Sequence, residues 1–209
     1  MPNANIEGHD CTLFFDYDCH LNGVLKQLTD AGKIEWLRLR MKMIFLDPIN
    51  KIADRRGTVY PSLEHPAAGS PMTAMLMVTS LLLNGMEALG SFLTNSNNNN
   101  KRFYSFVNKY MSNWNVMVTT KQHGTKRLSE ILWESYRNGL AHSFAILHAG
   151  IEDDQNNATH HFNNDVIQID VWKLMADLQG AIDNMFADMQ SNNGAKKMFM
   201  KRFNKVYTC

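Results

Sequence analysis

KRLSEILWESYRNGLAHSFAILH, residues 126–148, is the stretch on which the reading of this chain turns. Leu128, Ile131, Leu132, Ser135 and Tyr136 fall at i, i+3, i+4, i+7 and i+8, the stripe of a helix packed on a core. That stripe runs into Arg137-Asn138-Gly139-Leu140-Ala141-His142, where a permanent cation, an amide and an imidazole arrive together. A helix core has no use for this trio, because an unpaired guanidinium is expensive to bury. Function is to be sought here first.

Outward from this stretch, composition sets the frame. The chain has 209 residues, enough for one sizeable core, and its 44% hydrophobic and 20% charged content is that of a globular protein. A net charge of +1 provides no overall field for recruiting nucleic acid or a membrane, so polyanion binding would need a local patch. Fourteen methionines favour helices over strands. The three cysteines, Cys11, Cys19 and Cys209, are odd in number and irregularly spaced, which points to a reducing cytoplasm rather than a disulfide framework. MPNANIEGHD shows no secretory leader. The most apolar segment, 72–93, is interrupted by Ser80, Asn84 and Glu87, so it reads as a buried helix and not a membrane span.

Taken in order, residues 1–20 fit a short strand or a docked arm. Ile34, Leu37, Met41, Ile44 and Phe45 predict a helix that Asp47-Pro48 interrupts or ends. Residues 57–71 are Pro- and Gly-rich and predict a loop, with Ser70-Pro71 as a helix start. In the helix that follows, Met75, Val78, Leu82 and Leu89 form the core face. Ser80, Asn84 and Glu87 form a second stripe, either solvated or presenting Glu87 to a partly buried site. TNSNNNN, 94–100, predicts a mobile loop, and Phe103, Phe106, Val107 and Tyr110 predict an amphipathic helix beyond it. Residues 119–124 predict a turn, with Thr125 capping the motif helix. Residues 165–171 alternate as a strand does, and a hairpin pairing 145–151 with 166–169 is one arrangement. Trp172, Met175, Leu178, Ile182, Met185 and Met189 carry a long helix to about Gln190, broken by Asn192-Asn193-Gly194.

The final segment interleaves Lys196, Lys197, Lys201, Arg202 and Lys205 with Phe199, Phe203 and Tyr207. Two readings are open. Lys197, Lys201 and Arg202 would grip single-stranded nucleic acid while the rings stack on bases, or a terminal helix packs its rings and solvates its lysines. Metal sites carry less. His9, Cys11, Cys19 and His20 lack the spacing of a zinc knuckle, and His148, Asp153, Asp154, His160 and His161 sit in an apparent loop without fixed ligand spacing. No metal and no cofactor is expected.

Arg137 followed by Asn138 and, four residues later, His142 resembles the signature of the HEPN family (higher eukaryotes and prokaryotes nucleotide-binding). YRNGLAHSF with a short polar insertion and a final long helix resembles its uncharacterised bacterial members. Glu87, in NGMEALGSF, looks like the inward acidic residue of the partner helix in such bundles. The resemblance covers about half of the chain and excludes residues 1–65 and the basic tail. It implies a mostly α, antiparallel helical bundle with a small β-hairpin insertion after the motif helix. The chain then divides, within one domain, into an arm and first helices (1–65), the helical core (66–192) and the basic-aromatic tail (193–209).

For function, the resemblance implies a metal-independent ribonuclease, in a defence or toxin–antitoxin setting with a cognate antitoxin or regulatory protein. RNA brings its own nucleophile, the 2′-hydroxyl. Such an enzyme needs only to move protons and stabilise a charged phosphorane. Imidazoles titrate near working pH, which suits His142 to proton transfer, and a planar guanidinium suits Arg137 to phosphate. Asn138 would orient the imidazole or the phosphate, with Glu87 or Glu134 steadying Arg137. Residues five apart on an ideal helix point roughly 140° apart. Arg137 and His142 therefore converge only if Gly139 bends the helix, or if two copies meet about a two-fold axis as the family's homodimers do. The alternative is a catalytically silent helical module binding a nucleotide, a nucleic acid or a protein. There Arg137 pairs with an acid, Asn138-Gly139 caps the helix, and His142 begins the next one.

Overall fold

A computed structural model describes residues 3–13, 20–54, 71–94, 96–143, 145–152 and 158–207. The chain is mostly helical, with three small sheets among the described residues. β1 (Asn3–Ile6) and β2 (His9–Thr12) form a hairpin whose turn, Glu7-Gly8, has both φ angles positive. The Glu7 carboxylate accepts from the backbone N–H of Thr29 at 2.9 Å and from its hydroxyl, docking the arm on the next helices. α1 (His20–Gln27) leads to α2 (Asp30–Met41), a π-turn (Lys42–Leu46) and α3 (Asp47–Asp54). The predicted interruption near Asp47-Pro48 is thus a widened turn just before it. The predicted loop 57–71 and the Ser70 cap lie outside the described residues, apart from Pro71, which begins a helix.

α4 (Pro71–Gly90) is the apolar helix predicted from 72–93, and Met75, Val78, Leu82 and Leu89 are all buried. None of the helices among the described residues is long and apolar enough to cross a membrane. α5 (Asn99–Tyr110) buries Phe103, Phe106 and Val107 against α4. A Cβ built on Gly90 would overlap the carbonyl of Arg102, so the two backbones meet there, as only glycine permits. The asparagine run is shorter as a loop than its composition suggests. Asn98 caps α5 by accepting from the N–H groups of Asn100 and Lys101, which draws Asn99 and Asn100 into the first turn.

After a short 3₁₀ turn (Ser112–Trp114), β3 (Met117–Thr120) and β4 (Gly124–Arg127) form a hairpin. Here the predicted turn at 119–124 is corrected: only its middle is a turn, and Thr125 lies in β4. The motif helix instead begins after Arg127, whose N–H donates to Glu130 at 2.8 Å. It consists of α6 (Leu128–Ile131), a second π-turn (Leu132–Arg137) and α7 (Asn138–Ser143). Its predicted stripe is buried: Leu128, Ile131, Leu132, Ser135 and Tyr136 are each at most 2% exposed.

A three-stranded sheet follows, in the order β5 (Gly150–Glu152), β7 (Val166–Asp170), β6 (His160–Asn163). β5 runs parallel to β7, so segments 145–151 and 166–169 do not pair as a hairpin; the hairpin is β6–β7, turning at Asn164-Asp165 with positive φ at both. The Tyr136 hydroxyl donates to the carbonyl of Gly150 at 2.6 Å, tying this sheet to the motif helix. Asp170 caps α8 (Val171–Ser191), which buries Leu174, Leu178, Ile182, Met185 and Met189 in the centre of the molecule. α9 (Asn193–Tyr207) closes the fold with Phe199, Met200 and Phe203 buried. Arm, helical core and tail all contribute to one continuous apolar cluster.

Candidate functional site

The site grows from the second π-turn. The buried stripe continues as Gly139 and Leu140, leaving Arg137 and Asn138 at the edge between core and surface. Packing of the motif helix on α4 brings Glu87 to that edge. Arg137 donates to one Glu87 oxygen from Nη2 at 2.6 Å and from Nε at 3.1 Å. The two side chains are only 15% and 14% exposed. The guanidinium carbon lies 4.8 Å from the centre of the Trp133 ring, one turn back, in a cation–π contact. Among the described residues Nη1 makes a single long bond, 3.4 Å, to the side-chain amide oxygen of Asn138.

Glu87 therefore presents itself to a partly buried site, one of the two readings of its stripe. The alternative steadying acid, Glu134, is engaged elsewhere, with Lys126 at 2.6 Å. His142 stands exposed on the last turn of α7, and among the described residues no hydrogen bond or ion pair joins it to Arg137, Asn138 or Glu87. Within one chain the structure assembles Glu87, Arg137 and Asn138 and leaves His142 apart.

Gly139 has a different explanation from a C-cap, for the helix continues through it. The chain after α7 folds back along the helix: Ala145 N–H donates to the Gly139 carbonyl at 3.3 Å and Leu147 N–H to that of Ser135 at 3.1 Å. A Cβ on Gly139 would overlap the carbonyl oxygen of Ala145. Gly139→Ala should lower stability by about 1–2 kcal/mol in urea unfolding, the overlap outweighing the helix propensity gained. An unchanged or higher midpoint would mean that the folded-back segment yields freely.

Two features escaped the sequence reading. Trp133 lies four residues before Arg137, a spacing that signals a same-face contact. His123, in the β3–β4 turn, sits 3.4 Å from the Ser135 hydroxyl and 3.2 Å from the carbonyl of His148, whose φ is +56°. Ser135 is 2% exposed, so this Ser–His pair offers no nucleophile to a substrate. It braces the folded-back segment.

The basic tail does not offer its phenylalanine rings for stacking: Phe199 and Phe203 are fully buried and Tyr207, half-buried, packs on Trp36 and Phe203, although Lys197 and Lys201 are exposed. Arg202 is half-buried, and among the described residues its Nε has no hydrogen-bond partner. Of the histidine-rich loop, Asp153 and Asp154 lie outside the described residues, as does Cys19 of the other proposed set. Among the described residues no cluster of three or more His, Cys, Asp or Glu could hold a metal ion. His161 pairs with Glu152, and burial, with His161 adjacent, holds His160 below the usual imidazole range. No protein-family model, no curated protein and no solved structure matches this chain.

Proposed function

We propose that the chain is a metal-independent endoribonuclease of the HEPN kind, built on a HEPN-like bundle and working as a homodimer. The observation that carries this reading is the clamp on Arg137 by an acid from the neighbouring helix. Glu87 occupies the Nε/Nη2 edge of the guanidinium and Trp133 one of its faces. The Nη1 side, beside Asn138, is left to receive phosphate oxygens in a fixed orientation. His142, exposed and without a hydrogen-bond partner among the described residues, is the group that moves protons. In the dimer, one His142 takes the 2′-hydroxyl proton and its copy protonates the departing 5′-oxygen. The products are a 2′,3′-cyclic phosphate and a 5′-hydroxyl end. A defence or toxin role, with a cognate protein inhibitor, accompanies this proposal.

The test is cleavage of single-stranded RNA in EDTA. His142→Ala should lower the rate by about 10²-fold or more, the usual worth of a positioned acid–base group. Arg137→Lys, which keeps a cation for Glu87 but loses the fork, should do the same with the helical circular-dichroism spectrum intact. Cleavage that persists in His142→Ala defeats the assignment.

A second reading draws on the same clamp. Arg137 has its carboxylate, its ring and its amide within one chain, which suits a structural residue in a silent binding module. Wild-type protein that binds RNA or a nucleotide in EDTA without cleaving it would favour that reading.

A further inference from the structure

We propose that the cleft where α2, the first π-turn, α3 and α8 meet binds a small zwitterion, with the ammonium and carboxylate of a free α-amino acid. The cleft encloses about 260 Å³. That is just below the roughly 300–1,000 Å³ of sites for drug-sized ligands, so its occupant is smaller. Its lining carries both signs of charge. Arg38 is held by Glu35 in a two-bond fork at 2.7 and 2.6 Å. Lys42, Asp47 and Asp183 line the cleft too, Lys42 and Asp183 exposed and Asp47 half-buried; among the described residues none of the three makes an ion pair or a side-chain hydrogen bond, and Asp183 lies in the field of the Arg38 cation.

The π-turn builds this arrangement. Lys42 and Asp47 are five residues apart and joined by the bond from Asp47 N–H to the Lys42 carbonyl, so the wider turn stacks the cation and the acid on one wall. Such turns are rare and recur at functional sites. On the floor, Gln179 donates to the Asn50 carbonyl oxygen at 2.7 Å. This fixes the two side-chain amides, and among the described residues the Asn50 N–H groups and the Gln179 side-chain oxygen have no further partner, one donor and one acceptor side by side. Leu46, half-buried, adds an apolar patch. A simple anion facing Lys42 would meet Asp47 and Asp183, and a simple cation facing those acids would meet Lys42. A ligand with both charges a few bonds apart satisfies both walls, its polar groups reach the two amides, and its side chain covers Leu46.

The experiment is calorimetric and thermal-shift titration of the full chain with each of the twenty amino acids at millimolar concentration. Propionate and ethylamine serve as single-charge controls. At least one amino acid should bind and raise the melting temperature in proportion to its occupancy, and neither control should. Lys42→Met and Asp183→Asn should each weaken binding by about tenfold, the loss of one charge-assisted contact, while Lys51→Ala, outside the cleft, should not. The proposal is overturned if no amino acid binds, if either control binds as well, or if both cleft variants keep wild-type affinity. This result is independent of whether the chain cleaves RNA.

Discussion

Phe203→Ala should cost about 4 kcal/mol of folding stability, within the range of about 3–5 kcal/mol for emptying a buried phenylalanine site. The ring is fully buried. It meets Trp36 edge-on at 5.8 Å, Phe199 at 5.4 Å and Tyr207 at 5.0 Å. Trp36, itself without exposure, anchors the far wall by donating from its indole N–H to the Thr12 carbonyl at 2.9 Å. The cavity left by truncation would be lined by the rings of Trp36 from α2 and of Phe199 and Tyr207 from α9. Lys197→Ala and Lys201→Ala, on the exposed side of the same helix, should each stay within about 0.5 kcal/mol. Urea unfolding of the three variants measures the difference. A near-native Phe203→Ala that instead loses affinity for single-stranded RNA would return the tail to the role of a stacking platform.

That contrast shows where the sequence is informative. Long windows with a 3.6-residue apolar period are legible because burial of one helix face leaves a mark every turn. Leu128 to Tyr136 and Trp172 to Met189 carry such marks, and their helices stand where the period puts them. The two π-turns leave none, since widening one turn shifts the phase without changing composition. β3 and β4 are too short for their alternation to stand out from a polar turn. The parallel pairing of β5 with β7 depends on how Tyr136 and the helices hold two distant segments together, which no local pattern encodes. In the candidate site, the members Glu87, Arg137 and Asn138 are legible as unusual polar residues beside apolar stripes. Which acid serves Arg137 is not, because Glu134 is nearer in sequence and only the packing of α4 on the motif helix decides for Glu87.

Glu87→Ala should destabilise the protein by about 2–3 kcal/mol, and Glu87→Leu combined with Arg137→Met should recover most of the loss. Breaking a buried ion pair by removing one partner costs about 3–5 kcal/mol, because the remaining charge stays desolvated. With side chains 15% and 14% exposed, some water can reach Arg137, which sets the estimate at or below the lower end. The Trp133 ring and the 3.4 Å bond to Asn138 do not replace a carboxylate. An apolar pair of similar volume removes the stranded charge, and such replacements are often neutral or stabilising. The double variant also separates stability from function. If Arg137 exists to hold the fold, the rescued protein keeps every activity of the wild type. If Glu87 exists to aim Arg137 at a phosphate, the rescued protein is stable and does not cleave RNA, while Glu87→Gln, which retains an acceptor for the guanidinium, cleaves with a raised KM. A Glu87→Ala variant within about 0.5 kcal/mol of wild type would show that the clamp is dispensable, and the orientation of Arg137 would need another cause.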